Sequence, residues 1–237
     1  VQANWPPDRA LAEAEWLAGV ARETGWPHAV VAFADVTVSD IRPALDRLAR
    51  FPLVRGIRHQ LHWHSIPLYR FAPGPDLCRD PAVQRNVARL ADYGLSFDLQ
   101  VFADQMAGAC GLADACPGVT LVLQHAGMLE DTGDAGRAAW RQAMAALAAR
   151  PNVVAKLSGF GTFIHRCDAA HIAWLTTETV ALFGADRCLW GSNFPIEKLW
   201  TDYATLLDAH RRAAGGLSTA EQRAIFHDTA SRVYRLD

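Results

Sequence analysis

The sequence predicts an α/β fold in which repeated strand and helix units wind into a (β/α) barrel, and three observations carry that expectation. Six apolar runs of strand length recur, at residues 28–36, 54–63, 95–102, 119–127, 152–160 and 188–195, with helix-like segments between them. Their centres at Val31, Ile57, Leu99, Val122, Val154 and Leu189 lie 26, 42, 23, 32 and 35 residues apart. A βαβ unit occupies about 30 residues or more, so this spacing fits right-handed repeats and an all-parallel sheet. The runs are also apolar on both faces, as a parallel sheet covered by helices requires. No GxGxxG stretch is present, which weighs against a doubly wound dinucleotide-binding fold.

The segments between the runs are punctuated as helices. Asp80-Pro81 sets an N-cap before an N1 proline, and Gly94 follows as a stop. Ser218 and Glu221 have capping-box spacing and open the last helix, which turns Ala224, Ile225, Ala230 and Val233 toward a core. With 51% hydrophobic and 20% charged residues, the chain reads as one globular domain over residues 1–237.

Lys and Arg number 23 against 25 Asp and Glu, interspersed, so neither a nucleic-acid footprint nor a polybasic membrane anchor is present. Small uncharged or anionic metabolites are the expected partners. The five cysteines, Cys78, Cys110, Cys116, Cys167 and Cys188, are odd in number and form no CxxC pair, which fits a reducing, cytoplasmic location. No apolar run approaches the ~18 residues of a membrane span.

Polarity enters the runs near their C-terminal ends, where a (β/α) barrel builds its reaction site. Gln124-His125, Lys156 with Ser158, Ser192-Asn193, Arg58-His59, and Asp98 with Gln100 are the residues concerned. His125 closes a buried run and is followed by the small Ala126-Gly127, which leaves room above the ring. A neutral imidazole there can orient water, donate to a carbonyl or bind a metal. Arg58 can hold a carboxylate or lactone oxygen bidentately, or pair with Asp98 of a neighbouring strand.

Strand alternation sends Arg58 and His59 to opposite faces, so His59, His62 and His64 cannot all serve the barrel interior. His62-x-His64 imitates a metal pair, but packing or surface is the better reading. Lys156 is costly to bury unpaired, which predicts an inward ammonium satisfied by Asp98 or another acid, near or below the reacting layer. His165 is expected at the mouth of the pocket, with Trp63, Trp190 and Trp200 as candidate apolar walls. Cys188 begins an apolar strand and reads as a small hydrophobe rather than a nucleophile.

GIRHQLHW (56–63), FDLQV (97–101), LVLQHAG (121–127), AKLSGF (155–160) and GSNFP (191–195), in this order, resemble the amidohydrolase-related hydrolases that include pyrone-dicarboxylate and sugar lactonases. The resemblance covers nearly the whole chain. It implies a (β/α)8 TIM barrel whose first strand carries an HxH pair, a later strand a His, and the last strand an Asp. Residues 1–4 resemble the end of the second strand, so the first strand and helix are expected to be missing. His125 then matches the later-strand His, a possible metal ligand, and Asn193 stands where the Asp would be.

That replacement matters chemically. An amide cannot act as a general base and is at best a weak metal ligand. Divalent zinc, which the resemblance implies for a full-length protein, is accordingly disfavoured in this chain. Glu197, just beyond the GSNFP turn, could supply the missing carboxylate, or be a solvated acid at a helix start. The expected activity is hydrolysis of a lactone or related carboxylic ester, with His125, Asn193 and Glu197 as catalytic candidates. Arg58, His59, Asp98, Lys156 and His165 are the substrate-binding candidates. A metal-dependent non-oxidative decarboxylase and a non-catalytic barrel binding a small carboxylate are the alternatives.

Overall fold

In the computed structural model of the chain, the described residues are Val1 and 5–236. The expected strand end at residues 1–4 falls largely outside them. Six parallel strands follow one another in sequence order across one sheet: β1 Val30–Phe33, β2 Val54–Arg58, β3 Ser96–Leu99, β4 Leu121–Leu123, β5 Val153–Leu157 and β6 Cys188–Trp190. Each lies within one of the six apolar runs but is shorter, and β2 stops at Arg58, five residues before its run ends.

Helices α1 Ala10–Thr24, α2 Arg42–Leu48, α3 Pro81–Ala88, α4 Met106–Ala115, α5 Asp134–Ala148, α6 Ala169–Phe183 and α7 Tyr203–Ala213 alternate with the strands. The expected punctuation is in place. The Asp80 carboxylate accepts from the Ala82 N–H at 2.7 Å, and Gly94 has φ 62°. Ser218 and Glu221 form the reciprocal capping box that opens α8, Thr219–Arg223. The last helix is not continuous: a π turn at Ala224–Asp228 separates α8 from α9, Thr229–Tyr234.

The sheet is curled rather than flat. Val31 of β1 packs in one buried cluster with Val122, Val154 and Leu189 of β4, β5 and β6, together with Val233 and Tyr234 of α9. Adjacent strands lie about 4.8 Å apart, so β1 can meet the inner faces of β4 to β6 only if the sheet closes toward a barrel. The sequence-order topology and curled interior are those of a (β/α) barrel whose two edges, among the described residues, are β1 and β6. A second, larger core fills the layer between strands and helices, with Trp140, Phe97, Ile57 and Leu121 fully buried in it.

Interior polarity follows the period of two. Lys156 stands two residues beyond Val154, and Asp98 is the register partner of both Val122 and Arg58. Arg58, Asp98 and Lys156 therefore form a charged layer above the apolar one. From below, the Tyr234 hydroxyl donates to Asp98 Oδ1 at 3.2 Å, while Lys156 Nζ lies 3.8 Å from Asp98 Oδ2 and donates to Tyr234 Oη at 3.5 Å. The cost of burying an ammonium calls for Asp98 or another acid, and the structure places Lys156 beside Asp98.

His210 of α7 is buried between Phe160 and Trp190, with ring centroids 5.3 and 6.1 Å away, and burial pushes its imidazole down to about 4. Its folded-state value lies below the unfolded one, so the unfolded chain binds more protons between them. Stability present above about pH 6.5 is then lost as pH falls toward 4, by up to about 3 kcal/mol from this residue. His210→Phe is expected to flatten the decline in urea midpoint between pH 6.5 and 4.

Candidate active site

A cavity of about 660 Å³ opens above the charged layer, at the C-terminal strand ends, within the size range of small-molecule sites. Its floor and polar wall include Arg58, His62, Gln100, Gln124, His125, Lys156, Ser158 and Asn193. Gln100, Gln124 and Ser158 each lie two residues beyond an inward position, so alternation alone delivers them.

His125 does not arrive that way. Its neighbour Gln124 occupies the inward parity, and a strand continued one residue further would turn His125 outward. Instead β4 ends in a left-handed turn, with φ of 56°, 44°, 74° and 51° at His125, Ala126, Gly127 and Met128. Each non-glycine residue in this region costs roughly 1–2 kcal/mol, so the turn needs support. Trp140 Nε1 donates to the Ala126 carbonyl at 2.7 Å from α5, Ala126 and Met128 are buried, and Gly127 packs where any Cβ would strike Met106.

The His125 ring is fixed in turn. Its Nδ1 lies 2.9 Å from Ser158 Oγ, and it covers Gly159, whose φ is 67° and whose added Cβ would stand 2.5 Å from Nδ1. With Nδ1 engaged, Nε2 is the nitrogen left for a ligand. Burial, then the nearby Lys156 and Arg58 charges, push the imidazole down to about 3, so His125 is neutral around pH 7.

The chain between β2 and α3 is clamped by one amide. Gln105 Oε1 accepts from the Trp63 and Phe102 N–H groups, and its Nε2 donates to the Leu61 and Pro75 carbonyls at 3.0 and 3.1 Å. This places His62 on the cavity wall, 3% exposed, with burial the main cause of an imidazole held down to about 4. Leu68, Tyr69 and Phe71 from the same segment join Phe163, Leu199 and Trp200 in an apolar mouth. His64 turns away to Glu130, with Nε2 to Oε1 at 2.8 Å.

The expected site residues divide accordingly. Arg58, His125, Lys156 and Asn193 converge on the cavity. His59 lies outside it, against Phe33, with Nδ1 accepting from the Val36 N–H at 3.2 Å. Asp98 is fully buried beneath the floor and contacts Lys156 and Tyr234 rather than the cavity. His165 stacks on Trp200 at 4.9 Å, outside the ring that lines the mouth. Of the three tryptophans only Trp200 borders the cavity: Trp63 lies under Arg70, and Trp190 faces Tyr203, His210 and Phe226. Burial pushes the Cys188 thiol up to about 12, in keeping with an inert hydrophobe.

Glu197 fits neither of its two expected descriptions. It is fully buried, within the short 3-10 helix Ile196–Leu199, and lies behind the cavity wall rather than in solvent or on the reacting face. Its Oε1 accepts from Thr162 Oγ1 at 2.9 Å and from Asn193 Nδ2 at 3.4 Å. Burial raises the carboxyl above its ordinary range, against the opposing effect of these bonds.

The donor set does not suit a divalent metal. Among the described residues no three His, Cys, Asp or Glu side chains gather closely enough to hold one. The two cavity imidazoles share their surroundings with the Lys156 and Arg58 cations, which oppose a further positive charge. Nor, among the described residues, is any helix long and apolar enough to cross a membrane.

The sequence matches the amidohydrolase family over residues 1–236. An uncharacterized protein of Sinorhizobium fredii, y4mH, is 35% identical over 233 residues, or 98% of this chain and 78% of that protein. An L-fucono-1,5-lactonase of Burkholderia ambifaria is 29% identical over 231 residues, or 95% of this chain and 76% of the lactonase. The crystal structure of an amidohydrolase from Burkholderia multivorans with bound zinc is similar with a TM-score of 0.83 at 29% identity, covering 95% of this chain and 80% of that one.

Gly159→Ala places a methyl group against the His125 ring and demands an unfavourable φ. Urea unfolding is expected to show a loss of about 1–2 kcal/mol, and the His125 ring resonances in a proton–nitrogen NMR spectrum should shift as the bond to Ser158 breaks.

Proposed function

The chain belongs to the amidohydrolase family, and from that premise we propose that it is a hydrolase opening a lactone, or a related carboxylic ester, of a small metabolite. The observation that carries the proposal is the convergence of His125, Arg58, Lys156 and Asn193 on one cavity at the strand ends, with His125 neutral and held through Nδ1 by Ser158. The lactonase relative supports this choice among hydrolytic reactions.

In this reading the ester carbonyl oxygen lies toward Arg58 and Lys156, whose charges stabilise the oxyanion formed as water attacks the carbonyl carbon. Asn193, a neutral amide, holds the water and takes no proton. The water's proton passes to His125 Nε2. Because the buried imidazolium is a strong acid, it readily hands that proton to the ring oxygen as the carbon–oxygen bond breaks, giving a hydroxy acid. No step requires a metal ion.

A panel of lactones with product detection tests the assignment. His125→Ala should lower turnover by about 10²–10⁴-fold, and retained turnover would overturn the mechanism. Release of carbon dioxide, or binding without turnover, would replace it with the decarboxylase or the non-catalytic reading. Dialysis against a chelator is expected to leave ring opening unchanged.

The pH dependence of kcat/KM follows from the same groups. His125, at about 3, and His62, at about 4, stay neutral through the neutral range, so the profile should be level from about pH 8 to 5 and fall only toward 3–4. Burial lowers Lys156 from its ordinary value, so the alkaline limb should begin below the usual lysine range as the oxyanion loses a cation. An acid limb centred on pH 6–7 would contradict this assignment of His125.

A further inference from the structure

Glu197 takes no part in those steps, yet its position behind Asn193 is specific. Three polar groups form a closed triangle: Thr162 Oγ1 donates to Glu197 Oε1, Asn193 Nδ2 donates to the same Oε1, and Asn193 Nδ2 lies 3.3 Å from Thr162 Oγ1. A carboxylate only accepts. The threonine hydroxyl has a single proton, and with that proton directed at Glu197 the oxygen can only accept from Asn193. Both neighbours of the Asn193 amide end are thus acceptors, and only its NH2 group satisfies both. Asn193 Oδ1 is then directed away from them. Asn193 borders the cavity, with its backbone at φ 53°.

We infer that Glu197 is a positioning residue: through Thr162 and Asn193 it fixes the amide so that a carbonyl oxygen, not an NH2 group, meets the attacking water. An acceptor there takes one hydrogen of the water and leaves a lone pair to face the carbonyl carbon; a reversed amide would occupy that lone pair by donating to it. The carboxylate that the GSNFP turn lacks at position 193 is therefore present one layer back, acting on geometry rather than on the proton. The inference deepens the hydrolase reading and rests on it for the water. The amide orientation itself can be tested without turnover.

Three variants separate the possibilities. Glu197→Gln retains an acceptor for Thr162 and Asn193 but cannot take a proton, whereas Glu197→Leu removes the acceptor. Thr162→Val opens the triangle from its other corner and serves if the leucine variant fails to fold. On a lactone that the wild type opens, Glu197→Leu and Thr162→Val should lower kcat by about 10- to 100-fold with KM little changed, and Glu197→Gln should stay within a few-fold of wild type. Equal loss in the glutamine and leucine variants, with a displaced pH profile, would make Glu197 a proton carrier and overturn the inference. Unchanged kcat in a folded leucine variant would also overturn it.

The NMR signals of the Asn193 side-chain NH2 provide the independent readout. Slow exchange in wild type and Glu197→Gln, but not in Glu197→Leu or Thr162→Val, supports the fixed amide. Rapid exchange in wild type refutes it. If no lactone is opened while the amide is protected, the hydrolase reading fails and the orientation stands.

Discussion

The candidate active face depends on a short left-handed turn. Without the turn at His125–Met128, the alternation of β4 would deliver Gln124 to the cavity and send the imidazole into the helical layer. The conformation is intrinsically unfavourable over three non-glycine residues, and what holds it lies outside the strand: the Trp140 hydrogen bond from α5, the close packing of Met106 on Gly127, and the space above Gly159. A helix of the outer layer therefore determines where a cavity side chain points. Strain concentrated at a site and supported by its surroundings is the pattern expected where position matters more than local stability.

The charged layer beneath shows a second division of labour. Arg58 and Lys156 face the cavity, and burial lowers the pKa of both. Asp98 moderates this from below while exposing no carboxylate to the cavity. The site thus sets Lys156 between the cavity and a compensating carboxylate on the core side. That arrangement favours charge that develops during a reaction over charge bound permanently.

Much of the fold was legible in the sequence. The rhythm of apolar runs located all six strands, and the capping residues at Asp80 and Ser218 bound as their chemistry dictates. The convergence of Arg58, Lys156 and His125 was also readable, because polarity entering an apolar run leaves few other places for it. Alternation held beyond the end of β2, with Arg58, Gln60 and His62 on the cavity and His59 away from it; it lapsed at His64, which turns to Glu130, and at His125, where β4 ends in the left-handed turn. Glu197 was beyond reach for a similar reason: a charged residue after a Pro-containing turn reads as exposed, and only the tight 3-10 helix carries it inward onto Thr162. No linear pattern encodes the left-handed turn.

The contact of Tyr234 with the charged layer also bears on the order of assembly. Tyr234 lies 136 residues after Asp98 and 78 after Lys156, yet its hydroxyl is their shared partner in the barrel interior. On the ribosome the strands bearing those charges emerge first, and their buried pairing cannot be completed until α9 has been made and docked. The floor of the cavity thus matures only after the chain from Asp98 to Tyr234 has been made, and until then the growing chain carries Arg58, Asp98 and Lys156 without the environment that tunes them.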